Sequence, residues 1–217
     1  MNLVSVILFI IIFINISAYI IHQNIYNLLP QKERQRRNSF MKNYYSSIII
    51  NLSILLIIAC IIFNITNFDI TYNLLGIFYD TFFVLIINDT WFYWLHRLFH
   101  ENNFLRRTIH GEHHLSIRPL PLDYIYAHPL EIIFGFIGMI LPLFIKTINL
   151  YGYLIASILR NFHEIEIHTS KNNYSIIPFF NPPNKHYIHH SVTRNCNYAS
   201  MFPFWDNLMG TNNNSTE

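Results

Sequence analysis

An all-α integral membrane bundle with a histidine-rich, metal-binding cap on its cytoplasmic side is the fold class the sequence predicts, and three observations predict it. Hydrophobic residues make up 52% of the chain and charged residues only 12%, which is too apolar for an ordinary soluble domain. Several apolar runs reach the length a bilayer requires, with polar stretches between them. Histidines cluster at helical spacing, five of the twelve falling between His96 and His114.

Taken in order, Leu3 to Ile21 is an apolar run of roughly transmembrane length, broken by Ser5, Asn15 and Ser17. No basic residue precedes it and no clear small-residue cleavage site follows, so a retained span is expected over a cleaved signal peptide. The linker behind it holds Lys32, Glu33, Arg34, Arg36, Arg37 and Lys42. Short basic loops stay on the cytoplasmic side, so this one orients the chain. Ile48 to Ile65 supplies a second span. The third, from about Gly76 to Leu95, contains Asp80, Asn88 and Asp89, which are costly in lipid and must face protein or water.

Beyond it, Arg118 to Pro129 (RPLPLDYIYAHP) is punctuated by prolines and is expected as a loop near the membrane surface. Glu131 to Arg160 is too long for one span and is divided by Pro142, Lys146 and Asn149, as a hairpin would be. The chain therefore returns to the side it left, and all the clustered histidines fall on the cytoplasmic side. The expected organisation is 1–75 for the first transmembrane segments and basic linker, 76–212 for the catalytic part, and 213–217 for a polar tail.

Charge and cysteine content narrow the partners. A net charge of +2, with basic residues scattered among apolar segments, does not suggest nucleic acid. Cys60 and Cys196 form neither a disulfide framework nor a Cys-x-x-Cys metal pair, which leaves a reducing, cytosol-facing setting open.

The histidines carry the chemistry. Residues three and four apart share a helix face, so His96 with His100, and His110 with His113 and His114, are each expected to aim imidazoles at one place. His186, His189 and His190, in HYIHH, repeat the spacing of the second set. Together these exceed what one tetrahedral zinc can use, so two metals are expected. Asp89, Tyr93, His96 and His100 form one stripe on the third helix. Asp89 lies about 10 Å from His96 along the axis and would have to orient a ligand from another helix. Between the sets, His163 and His168 diverge by roughly 140° on an ideal helix, whereas Glu164 and His168 share a face, which makes His168 the better candidate. His163 would bind only from a distorted helix or from another side. His22 stands alone and is expected as an ordinary surface or satisfied core residue.

HRLFH, HGEHH and HYIHH resemble, in order, the three histidine boxes of the sterol desaturase and fatty acid hydroxylase superfamily of membrane enzymes. The resemblance runs from about Tyr79 to Thr211 and takes in Asp89 with WFYWLHR, the AHPLE segment and the terminal NYASMFPFWDNLMGT. Ala199 stands where that family usually has glycine and Met209 where it usually has an aromatic residue. Three residues between the first-box histidines resemble the sterol-oxidising branches more than the fatty acid 2-hydroxylases.

What the resemblance implies is a fatty acid hydroxylase-like domain over 76–212 with two non-haem irons (Fe) and O2, acting on an unactivated C–H bond of a membrane lipid by hydroxylation or desaturation. It also implies electrons from cytochrome b5 and its NAD(P)H-dependent reductase at the endoplasmic reticulum. The eight box histidines and His168 would be the iron ligands, with His128 and His163 as candidates for remaining positions. Asp89 and Glu131 would be carboxylates that fix imidazole tautomers, Glu112 would face solvent, and Trp91, Tyr93 and Trp94 would pack or sit at the interface. Two other classes stand beside this reading. One is a metal-binding membrane protein without catalysis, against which the intact boxes argue. The other is a zinc-dependent membrane hydrolase, which normally uses fewer histidines and a general-base carboxylate.

Overall fold

Breaks at Pro30, Asn73, Asn102 and Asn149 divide the chain into helices, and each of the three asparagines caps the helix that follows it. A computed structural model describes residues 3–41, 43–169, 171–191 and 195–214. Lys42 of the basic linker and residues 215–217 of the expected polar tail lie outside the described residues. Nine α-helices are described: α1 (Leu3–Leu28), α2 (Gln31–Phe40), α3 (Tyr44–Ile65), α4 (Leu74–Glu101), α5 (Asn103–Leu105), α6 (Pro129–Ile145), α7 (Leu150–Ile167), α8 (Pro183–Ser191) and α9 (Phe204–Leu208). Short π and 3-10 turns lie between α5 and α6. Among the described residues there is no β-strand, only an isolated bridge between Asp69 and Asn149. Helices α1, α3 and α4 contain segments long and apolar enough to cross a membrane, and α6 is a shorter apolar helix.

Helix α4 is the axis of the bundle because its polar residues find partners there. Asp80, Asn88 and Asp89 are all buried. Asp80 pairs with Lys146 and accepts the Asn149 N–H at 2.7 Å, so one carboxylate of α4 holds the break between α6 and α7. The Asn149 side chain then starts α7 by accepting from the N–H groups of Tyr151 and Gly152. Both helices approach α4 through glycines. A Cβ at Gly152 would meet the Ile77 carbonyl oxygen at 2.9 Å, and one at Gly138 would meet the Asn88 Oδ1 at 2.9 Å. Val84 and Leu85 of α4, Met139 of α6, and Tyr153 and Ala156 of α7 close the core around Phe180 and Met201. Tyr93 packs into a second cluster with Tyr198, Ala199 and Trp205, while Trp91 donates to the Phe134 carbonyl at 2.8 Å.

The proline-punctuated segment differs from its expectation as a surface loop. Pro121–Ile125 forms a 3-10 turn whose Leu122 and Ile125 are buried against Ala18 of α1 and Ile48 of α3. Backbone at that depth needs internal partners, and the polar interruptions of the spans supply them. Asn51 donates to the carbonyls of Ile125 (2.8 Å) and Ala127 (2.7 Å), and Asn15 accepts from the Tyr124 hydroxyl at 2.7 Å. His22 is 1% exposed and its Nδ1 accepts from the Leu122 N–H at 3.4 Å, which makes it a satisfied core residue. Arg37 leaves the basic face of α2 to pair with the fully buried Asp123, which also accepts from Tyr44 (2.7 Å) and from Ser116.

The glycine contact between α7 and α4 is testable. Gly152→Val presses on the backbone of Ile77 and Thr81 and should destabilise the detergent-solubilised protein by about 1–3 kcal/mol, read as a lower thermal midpoint. Gly135→Ala, with no atom within 4 Å of the added Cβ, should leave the midpoint unchanged or raise it.

Candidate metal centre

Helix α4 runs on to Glu101, and its last turns carry His96 and His100 on one face. Asn102 ends it and caps α5, after which Arg106–His110 forms a π-helical turn and His113–Leu115 a 3-10 turn. Single π turns inside helical segments are frequent at functional sites because they re-aim side chains. Helix α8 brings His186, His189 and His190, and His168 sits at the C-cap of α7.

Nine of these histidines converge in two groups, both fully buried. His96, His100, His110, His114 and His189 form the first, and His113, His168, His186 and His190 the second, with the potential ligand atoms of each group within 4.8 Å of one another. Within the first, the Nε2 atoms stand 3.1 Å apart for His96 and His110, 2.9 Å for His110 and His100, 3.0 Å for His114 and His110, and 3.1 Å for His189 and His114. Within the second, His186 and His168 are 3.0 Å apart and His190 and His113 are 3.2 Å apart, again through Nε2.

The boxes do not each serve one place, as their spacing suggested. His110 and His114 stay together, and so do His186 and His190, but His113 crosses to the second group and His189 to the first. Neighbouring residues on a helix point about 100° apart, so a His-His pair cannot aim both rings at one ion.

The outer nitrogens fix the tautomers. A carbonyl oxygen only accepts, so each ring nitrogen facing one carries the proton. His96 Nδ1 donates to the Tyr198 carbonyl at 2.7 Å, His189 to Cys196 at 2.7 Å, His190 to Ser116 at 2.9 Å, His168 to Glu164 at 2.6 Å, and His113 to Tyr126 at 3.2 Å. His110 Nδ1 lies 2.8 Å from Glu131. The Nε2 atoms of these rings therefore turn bare lone pairs inward. Burial pushes His113 down to about 4, and burial first, with neighbouring imidazoles after it, holds His114, His186, His189 and His190 well below the ordinary histidine range. Neutral imidazole is the form that ligates a metal.

These residues fit a pair of metal ions. Facing lone pairs repel, and a cation among them removes the repulsion. A metal–imidazole bond of about 2.1 Å sets two ligands at right angles about 3.0 Å apart and tetrahedral ones about 3.4 Å apart, so the observed spacings suit more than four-fold coordination. All-nitrogen donor sets suit iron, zinc, copper or nickel.

Not every candidate joins the groups. His163 is buried between Glu166 (3.3 Å) and the Ser200 carbonyl (3.1 Å), and His128 caps α6 by accepting the Leu130 N–H at 3.2 Å. Asp89, expected to hold an imidazole, instead accepts the N–H groups of Met201 (2.7 Å) and Phe202 (3.2 Å). Its distance along α4 puts it beside the returning chain. Asp206 accepts from Tyr198 (2.9 Å) and Ala199 (3.0 Å), so two buried carboxylates pin the segment whose Tyr198 carbonyl orients His96. Asp206 and Tyr198 lie in the NYASMFPFWDNLMGT stretch that carries the family resemblance, but neither is singled out there, because a carbonyl's role carries no side-chain signal. Glu112 is half-buried and belongs to neither group.

A cavity opens against both groups, reaching His96 and His110 on one side and His113, His168 and His186 on the other.

Residues 81–211 match the family model described as fatty acid hydroxylase. The chain is 37% identical over 134 residues to methylsterol monooxygenase 1 of Rattus norvegicus, covering 58% of this chain and 44% of that protein. It is 36% identical over 139 residues to a C-4 methylsterol oxidase of Schizosaccharomyces pombe, covering 59% and 45%. It is 33% identical over 138 residues to a very-long-chain aldehyde decarbonylase of Oryza sativa, covering 59% and 50%. The chain thus spans about half the length of the curated relatives it matches. No solved structure matches it.

If each group holds one ion, anaerobic purification with ferrous iron should give about two metals per chain, falling to about one or fewer in His100→Ala and in His186→Ala. His163→Ala and His128→Ala should keep the wild-type metal content by elemental analysis.

Proposed function

Because this chain belongs to the fatty acid hydroxylase family, within the sterol desaturase and fatty acid hydroxylase superfamily, we propose that it is an iron- and oxygen-dependent lipid C–H oxidase of the membrane, a hydroxylase or desaturase acting on a sterol or fatty-acyl lipid. The observation that carries this reading is the pair of buried all-histidine groups beside a cavity. Neither group includes a carboxylate or a cysteine. That favours a redox metal pair over a hydrolytic zinc, which would want a general-base carboxylate beside an open position.

In this reading His96, His100, His110, His114 and His189 hold one iron, and His113, His168, His186 and His190 the other. When bound, the irons and O2 supply the oxidising power that a C–H bond requires, which no side chain can provide. The chain contributes position. The backbone carbonyls of Tyr198, Cys196, Ser116, Glu164 and Tyr126 keep the rings in one tautomer and orientation, and Glu131 does so for His110. Asp89 and Asp206 act one step further out, on the chain that presents Tyr198. Residues 76–212 form the catalytic domain, and 1–75 the membrane segments and basic linker. The histidine groups face the cytoplasm at the endoplasmic reticulum, where cytochrome b5 and its NAD(P)H-dependent reductase supply electrons.

Membranes containing the protein, given cytochrome b5, its reductase, NAD(P)H and isotopically labelled O2, should convert lipid to an oxidised or unsaturated product detected by mass spectrometry. An iron chelator should abolish the conversion and ferrous iron, but not zinc, should restore it. Oxidation that persists without O2, or after iron is replaced by zinc, would overturn the assignment.

A further inference from the structure

The cavity at the histidine groups borders a second, more apolar cleft whose walls come from α1, α3, α6 and α7. The two share Leu55, Tyr124, Phe136, Arg160 and Asn161, so these five form the neck between them. Beyond the neck the lining is Ile10, Ile14, Ala59, Ile62, Met139 and their like, a surface that suits a hydrocarbon chain.

Arg160 is out of place in such a wall. Among the described residues no hydrogen bond or ion pair reaches its guanidinium, and its Nε is buried with no hydrogen-bond partner. Glu164, one turn further along α7 and lining the same inner cavity, is engaged at Oε1 by the Ser200 hydroxyl at 2.7 Å. Tyr124 at the neck donates to Asn15 of the apolar cleft at 2.7 Å, and Asn161 at the neck donates to the Ser157 carbonyl at 3.0 Å. Arg160 is half-buried, and the Nε of a guanidinium sealed in an apolar wall without a partner is costly and calls for an oxygen acceptor.

Resting on the reading that a lipid occupies this chain, the geometry points to Arg160 as the residue that receives the lipid's oxygen-bearing head. The group recognised is a hydrogen-bond-accepting oxygen, either the carboxylate of a long-chain acid or the hydroxyl of a lipid alcohol. The guanidinium has donors only, so a plain hydrocarbon gains nothing from it. The tail lies in the apolar cleft, and Arg160, Glu164 and His168 follow one face of α7 over about 12 Å. The carbons nearest the head are thereby presented to the histidine groups.

The test is equilibrium binding to the full chain in nanodiscs, with palmitic acid, hexadecanol and hexadecane as probes and metal content measured in parallel. Wild-type protein should bind the acid or the alcohol more tightly than hexadecane, and whichever of the two is tighter identifies the head. Arg160→Gln should weaken that ligand roughly ten- to a hundredfold while leaving hexadecane and metal content unchanged, and Arg160→Lys should fall between. Gly135→Leu, which fills the inner cavity from a position with no atom within 4 Å of the added Cβ, should weaken every probe that reaches it. Equal binding of all three probes, or unchanged acid and alcohol binding in Arg160→Gln, overturns the inference. So does unchanged binding in Gly135→Leu. Binding of no probe at all by wild-type protein overturns the inference as well, whereas probe binding as expected without iron uptake overturns the oxidase reading and leaves the role of Arg160 standing.

Discussion

Bare imidazole nitrogens held face to face about 3 Å apart, as in His96 with His110 and His113 with His190, are the constraint around which this protein is built. Such an arrangement is unfavourable by itself, so something outside each ring must prevent it from turning away. Backbone carbonyls do most of that work, and the five of them come from four stretches of chain: the turn before the RPLPLDYIYAHP segment, that segment's end, the end of α7, and the residues after α8. A carbonyl is positioned only if its own peptide is. The buried carboxylates of Asp89, Asp206 and Asp123 therefore belong to the centre although none touches a group's inner face. The membrane helices, in turn, bury those carboxylates.

Much of this was legible in the sequence, and what was not has a physical reason. The three spans, the break near Asn149 and the box histidines with His168 follow from hydropathy and helical spacing, which are local. How the boxes divide between two groups is set by ring direction, and the π turn at Arg106–His110 shifts that direction in a way no residue announces. Asp89 was visible as a buried acid but its partner was not, because Met201 and Phe202 lie more than a hundred residues away and offer only backbone N–H groups. The RPLPLDYIYAHP segment looked like surface loop since prolines end helices. What tucks it inside are Asn15, His22 and Asn51, which in the sequence are merely interruptions of apolar runs.

Those interruptions show how a small membrane protein spends its polar residues. In α1 and α3, Asn15, His22 and Asn51 face residues 122–127 and satisfy their backbone or side chains, while the exposed positions Phe9, Phe13, Ile49 and Ile57 stay apolar. In α4 the same logic places Asp80 on the hairpin break and Asp89 on the returning chain. Arg160 on α7 is the departure from the pattern, a cationic group on the cavity side that the protein itself leaves unmatched.

The exchange of His113 and His189 between the two groups ties them thermodynamically. The short segments 110–114 and 186–190 each place rings in both groups, so ordering them for one ion orders them for the other. If each group takes an ion, the conformational entropy lost at the first binding event is not lost again at the second, which favours cooperative loading. Reciprocity follows: by whatever factor an ion in one group tightens binding in the other, an ion in the other tightens binding in the first.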